Sequence, residues 1–207
     1  PGDICAGVKE KVSLPLIGSF QISNALCAAG LVLASGEDTS NVLQTLGGLE
    51  GAPGRLQKIE GHPKGAGVYI DYAHTPDALE TVLKALRPHA TGNLSVVFGC
   101  GGDRDKGKRP KMGQVAQALA DKIIITDDNP RSEDPSEIRN QILETCSLGQ
   151  ETGDRKLAIT QALGDLAEND LLLIAGKGHE ATQIIGDQVL SFSDIDVANE
   201  ALAEITL

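Results

Sequence analysis

An α/β fold, Rossmann-like and built on a doubly wound, mostly parallel sheet, is what this sequence predicts, on three observations. From about residue 56 onward, short runs rich in Val, Ile and Leu recur, each bounded by polar or glycine-rich segments. Stretches with helical spacing of apolar residues separate them. The runs are continuously apolar rather than alternating, as expected of strands buried on both faces of a sheet.

The elements follow in order. Gly18 to Ser35 is almost uncharged and rich in small residues, which predicts a helix buried on most sides. Asp38 to Leu46 reads as a short amphipathic helix capped by Asp38 or Thr39. Gly47 to Gly54 is a Gly/Pro-rich break. It places a domain boundary between residues 1–54 and 55–207. Strands are expected at Val68–Tyr72, Leu94–Phe98, Lys122–Thr126 and Leu171–Ala175. Helices are expected at Pro76–Leu86, from about Lys111 to Ala120, at Pro135–Cys146, partly over Leu157–Ala167, and at Ile195–Ile205. Gly186-Asp187 between two short apolar runs predicts a hairpin at the sheet's antiparallel edge.

Composition narrows the function. At 207 residues, the chain suits one large domain, or one domain plus part of another. Hydrophobic residues at 41% and charged ones at 23% are ordinary globular usage, which excludes disorder and collagen-like structure. No run approaches the roughly 20 apolar residues of a membrane-spanning helix. No secretory signal precedes residue 20, so a cytoplasmic protein without membrane partners is expected. The chain starts at Pro1 without an initiator Met, and it is expected to be a piece of something larger. Net charge is −11, with only five aromatic residues, which argues against a nucleic-acid partner. Cys5, Cys27, Cys100 and Cys146 show no metal-site spacing and are expected to be reduced, buried thiols.

In doubly wound sheets, ligands bind beyond the carboxyl ends of the strands. Four polar clusters stand there: 71–76, 99–106, 127–131 and 176–180. Gly102 to Arg109 nearly matches a phosphate-binding GxxxxGK[ST] loop, but Arg109 replaces the metal-binding hydroxyl, and Asp103 and Asp105 oppose an anion. A glycine turn presenting Arg104 and Lys106 fits better, and a solvated turn accounts for the same residues. Asp128, Asn129, Pro130 and Arg131 put a carboxylate, an amide and a guanidinium on a stiffened loop; a plain surface turn remains the alternative. Gly176 and Glu180 add close backbone approach and an acid. His74 touches a phosphate or bonds to its own turn. Two guanidinium groups (Arg104, Arg131) with two acids (Asp128, Glu180) suit a ligand carrying both carboxylate and ammonium, such as an amino acid. No metal-ligand or nucleophile–histidine arrangement stands out, so no catalytic or metal residue is predicted.

These same clusters, Asp71-Tyr72-Ala73-His74-Thr75-Pro76-Asp77, residues 98–110, Asp127 to Arg131 and Gly176 to Glu180, make the sequence similar to the Mur ligases. Among these it resembles the branch that adds meso-diaminopimelate to a UDP-N-acetylmuramoyl dipeptide in peptidoglycan synthesis. The resemblance implies an ATP- and Mg²⁺-dependent amide ligase, with residues 55–207 as its C-terminal amino-acid domain. Residues 1–54 would be the helical tail of a central ATPase domain. It also implies that Arg104, Asp128, Asn129, Pro130, Arg131, Gly176 and Glu180 hold diaminopimelate. Asn24, Arg55, Asp71, His74 and Lys106 would lie toward ATP. The family's P-loop, Mg²⁺ ligands and UDP-substrate domain lie upstream of Pro1, so this piece alone is expected to be inactive. Two alternatives stand: a stand-alone amino-acid or nucleotide binding module, and a related ligase such as a folate polyglutamate ligase. A glutamate acceptor would offer Asp128 and Glu180 no second ammonium.

Overall fold

The structure is a computed structural model that describes residues 11–205. It forms two compact units, Pro1–Gly51 and Ala52–Leu207. In the first unit, α1 (Ser19–Ala34) and α2 (Thr39–Leu46) pack through Ala25, Ala29, Val42 and Leu46. Asp38 caps α2 by accepting from the Asn41 N–H at 3.1 Å. The expected burial of α1 on most sides is not observed. Only Gln21, Ala25 and Ala29 are buried along it, while Leu26 and Leu31 are 63% and 74% exposed. The described part of this unit offers α1 little beyond α2 and the Val12–Leu14 stretch to pack on.

The second unit holds a six-stranded sheet in the order β1-β2-β6-β3-β4-β5. Its strands are β1 (Gln57–Ile59), β2 (Gly67–Asp71), β3 (Leu94–Phe98), β4 (Lys122–Ile125), β5 (Gly149–Glu151) and β6 (Leu171–Ala175). The helices are α3 (Pro76–Leu86), α4 (Lys108–Leu119), α5 (Pro135–Leu143), α6 (Arg155–Gly164) and α7 (Asp194–Ile205). All pairs are parallel except β1–β2. Helices α6 and α7 bury Ile159, Leu163 and Leu202 against Val68, Ile70 and Leu172 on one face of the sheet. Side chains of Thr75, Asp134 and Asp154 cap α3, α5 and α6, and Pro76 and Pro135 open their helices where a missing N–H costs nothing.

Four differences from the sequence expectation have local causes. The sheet's antiparallel edge is β1, not the hairpin; Gln57-Lys58-Ile59 has no apolar run to reveal it. Edge strand β5, Gly149-Gln150-Glu151, is equally silent. The hairpin exists, as β7 (Thr182–Ile185) and β8 (Gln188–Ser191), but it forms its own two-stranded sheet. Helix α4 begins three residues earlier than expected, because Pro110 sits in its first turn, where proline is tolerated.

Strand β6 enters between β2 and β3, so β2, β6, β3 and β4 lie side by side. Asp71 pairs with Ala175, Val97 with Ile174, and Phe98 with Ile125. Their carboxyl ends therefore bring four loops together.

Candidate functional site

A cavity of about 500 Å³ opens where these loops meet. The loop after β3 contributes Gly99, Gly101 and Arg104, and the loop after β4 contributes Asp128, Asn129 and Arg131. Gly176 and Glu180 follow β6, and Tyr72 and His74 follow β2.

The β3 and β4 loops are stitched to one another. Gly102 donates its N–H to the Asn129 carbonyl at 2.9 Å, and Arg131 Nη1 donates back to the Gly102 carbonyl at 2.8 Å. Only glycine fits at position 102, since a Cβ there would stand 1.9 Å from the Pro130 carbonyl oxygen. Asp103 accepts from the Ser132 N–H and hydroxyl, and these bonds hold its carboxyl below the usual range. Glu133 is the centre of the junction. It takes both Nη atoms of Arg109, at 3.0 and 2.9 Å, the Lys106 ammonium at 2.9 Å and the Asp103 N–H at 2.6 Å. Arg109 above all, and then Lys106, holds the Glu133 carboxyl down at about 2. Arg109 is fully buried and also donates to Gln141 Oε1 and the Gly101 carbonyl. The N–H groups of Gly102, Asp103 and Gly107 are all given to protein acceptors and so are taken from any anion.

The hairpin clamps the β4 loop from the other side. Arg131, at a left-handed φ of 53°, donates its N–H to the Ile184 carbonyl and accepts from the Gly186 N–H. Gln183 Nε2 donates to the Asp128 carbonyl at 2.8 Å. Asn129 Oδ1 accepts from the Ile184 N–H and from Lys177 Nζ, both at 3.0 Å. Asn129 Nδ2 donates to Glu180 Oε2 at 3.2 Å, and Lys177 Nζ lies 3.4 Å from the same oxygen. Gly176 has φ +117°, and a Cβ there would lie 2.9 Å from Asp128 Oδ2. Beneath these loops, Arg155 and Asp194 form a fully buried bidentate pair at 2.7 Å, and Arg155 Nη2 donates to the Ala175 carbonyl at 3.0 Å.

Three of the cavity's charges have no ionic partner, while Glu180 has Lys177 at one oxygen. Among the described residues, neither Arg104 nor Arg131 has a carboxylate within ion-pair distance, and Asp128 has no cation. Arg131 uses Nη1 on two backbone carbonyls, which leaves Nε and Nη2 for a ligand carboxylate. A concave site that holds two guanidinium groups and two acids apart can receive a zwitterion.

Arg104, Asp128, Asn129, Arg131, Gly176 and Glu180 thus line one cavity, and the buried Pro130 lies just behind Gly102. The residues expected toward ATP are more scattered. His74 lines the cavity, and the Arg55 guanidinium lies 4.8 Å from the centre of the Tyr72 ring. Asp71 accepts from the Leu56 and Ala73 N–H groups, both at 2.7 Å; burial pushes its carboxyl up against those bonds. Lys106 is paired with Glu133, and Asn24 lies on α1 in the first unit, bonded to Gln21. Tyr72, Lys108 and Lys177 lie within the motifs singled out from the sequence without a role assigned to them, and Glu133 lies outside those motifs, because only the fold shows which side chains meet. Cys100 and Cys146 are buried and free, with the Cys100 thiol pushed up to about 12 by burial. Cys27 is exposed, contrary to expectation, since its face of α1 is uncovered; Cys5 lies outside the described residues. Among the described residues, no group of three or more His, Cys, Asp or Glu side chains could hold a metal ion, and no helix is long and apolar enough to cross a membrane.

Over residues 54–178 the sequence matches the family described as Mur ligase, glutamate ligase domain. It is 55% identical over 196 residues to a UDP-N-acetylmuramoyl-L-alanyl-D-glutamate–2,6-diaminopimelate ligase of Caulobacter vibrioides, covering 95% of this chain and 40% of that protein. A ligase of the same name from Mesorhizobium japonicum is 54% identical over 198 residues, covering 96% and 41%. A solved structure of a ligase of that name superposes with a TM-score of 0.75 at 38% identity, covering 95% of this chain and 41% of that one. The chain spans about 40% of the length of the curated relatives it matches.

Proposed function

The chain belongs to the Mur ligase family, and from that premise we propose that it is the amino-acid-binding C-terminal part of a larger ATP-dependent ligase. That ligase adds meso-diaminopimelate to UDP-N-acetylmuramoyl-L-alanyl-D-glutamate in peptidoglycan synthesis. Residues 1–54 belong to its central ATP-binding domain, and residues 55–207 form the amino-acid domain. The reaction is cytoplasmic, since it consumes ATP and a UDP-linked substrate. The partners of this chain are those small molecules and the remainder of the same protein.

One observation carries the reading: two arginines without carboxylate partners and two acids line a single cavity at the strand ends. Meso-diaminopimelate carries two carboxylates and two ammonium groups, and lysine lacks the second carboxylate. An arginine facing the distal end favours the former and would be left unpaired by the latter. The acids hold the ammonium groups and the arginines the carboxylates, so the reacting amine is presented in one orientation.

ATP with Mg²⁺ supplies the activation, turning the γ-carboxylate of the D-glutamate into an acyl phosphate that the amine attacks with loss of phosphate. Of this chain's residues, Arg55 and His74 suit contact with ATP best, and Asn24 of the first unit is assigned to ATP on the family resemblance alone. Asp71 and Lys106 belong to the same set by the family resemblance, though both are engaged within the protein. The Mg²⁺ ligands belong elsewhere in the larger protein, and the piece alone is inactive.

Arg131→Ala in the full-length protein tests the reading. The KM for meso-diaminopimelate rises by about 10- to 100-fold, as for loss of a charge-assisted bidentate contact, while the slow incorporation of lysine changes little. Equal loss with both amino acids would remove Arg131 from recognition of the distal carboxylate.

A further inference from the structure

We propose that Lys177 is a positioning residue for amino-acid recognition, one that fixes the Asn129 amide so that Asn129 in turn holds Glu180 at the cavity. The proposal rests on the functional reading above and deepens it.

Lys177 is fully buried, which is costly for an ammonium unless its three N–H groups and its charge are answered. Two of the N–H groups are answered by Asn129 Oδ1 at 3.0 Å and Glu180 Oε2 at 3.4 Å, and the charge by Glu180. No lining of the cavity is contributed by Lys177 itself. Its effect passes through the amide. Asn129 Oδ1 faces two donors, Lys177 Nζ and the Ile184 N–H, so a flipped amide would set its NH₂ against both. The amide is therefore held with its NH₂ toward Glu180, which it reaches at 3.2 Å. Glu180, whose side chain is a third exposed, then has two fixed donors on one oxygen and keeps the other for a ligand ammonium. Without Lys177, one donor no longer opposes the flip, and Glu180 loses a direct partner as well. The acid would then sample poses in which it does not meet the ligand.

Simple electrostatics predicts the reverse. A buried cation beside the site repels a ligand ammonium, so deleting it should tighten binding. A role confined to folding predicts a lower melting temperature and an unchanged KM. The three roles are therefore separable.

The test uses the full-length protein, with initial rates measured against meso-diaminopimelate. Lys177→Met is expected to raise its KM about tenfold with kcat changed less than about threefold, the pattern of lost ground-state binding. In a Glu180→Gln background the same substitution should add less than about twofold, because the route through Glu180 is already cut. Lys177→Gln, which restores a donor near Asn129 Oδ1 without the charge, should recover part of the loss and serves where Lys177→Met folds poorly, as read by circular dichroism. An unchanged or lower KM in the folded variants, or an equal factor in both backgrounds, overturns the proposal. So does failure of both variants to fold, which would make Lys177 a folding residue. A wild-type protein that does not consume meso-diaminopimelate overturns the functional reading itself, and the role of Lys177 with it.

Discussion

Glu133 shows how a side chain outside the cavity sets what lines it. It joins Arg109, Lys106 and the Asp103 N–H, and so ties the loop carrying Arg104 to the loop carrying Arg131. Its carboxyl sits at about 2, below the ordinary carboxylate value of 4.5, so the folded protein favours its charged form. The stability that follows is fully present above pH 4.5 and is lost as pH falls toward 2. Acid titration followed by circular dichroism should show this loss in the wild type, and Glu133→Gln should flatten that part of the profile while lowering stability at pH 7. The residues of the site that could be read in advance are those contiguous in sequence, such as Asp128 to Arg131. Glu133 could not, and Lys177, though inside the 176–180 cluster, gave no sign of its burial, because nothing local distinguishes a glutamate or lysine that becomes a junction from one on a solvated face.

Among the elements, loops and hairpin matter more than the strands. Gly102 gives up a side chain so that two loops can touch, and Gly102→Ala must push the Pro130 carbonyl away. Overpacking of that kind costs about 2 kcal/mol, and urea unfolding should report it together with weakened diaminopimelate binding. The hairpin β7–β8 was legible from Gly186-Asp187, yet its placement was not. It leaves the main sheet and fastens Arg131 and Asn129 instead, through hydrogen bonds whose partners are some fifty residues away. Strands β1 and β5 were illegible for a different reason: three-residue edge strands bury too little apolar surface to leave a pattern.

For the whole molecule, the sheet order decides where chemistry can occur. With β6 inserted between β2 and β3, four loops from distant parts of the chain share one end of the sheet. Arg155 and Asp194 hold that end together from below, and neither is exposed to solvent. Asp194→Asn would leave a buried guanidinium without its counter-charge and should destabilise the protein by about 3 kcal/mol, measured by thermal or chemical melts. Hydrophobic periodicity sufficed for the doubly wound class and the main strands, because burial on two faces forces continuous apolar runs. The four polar clusters could likewise be located, since strand ends are where such sheets leave room for ligands. Only the tertiary structure decided that Arg104, Arg131, Asp128 and Glu180 share one cavity with their charges apart, and that Lys177 lies buried behind them. Those facts depend on loop-to-loop hydrogen bonds and on desolvation, and both come into being only when remote segments meet.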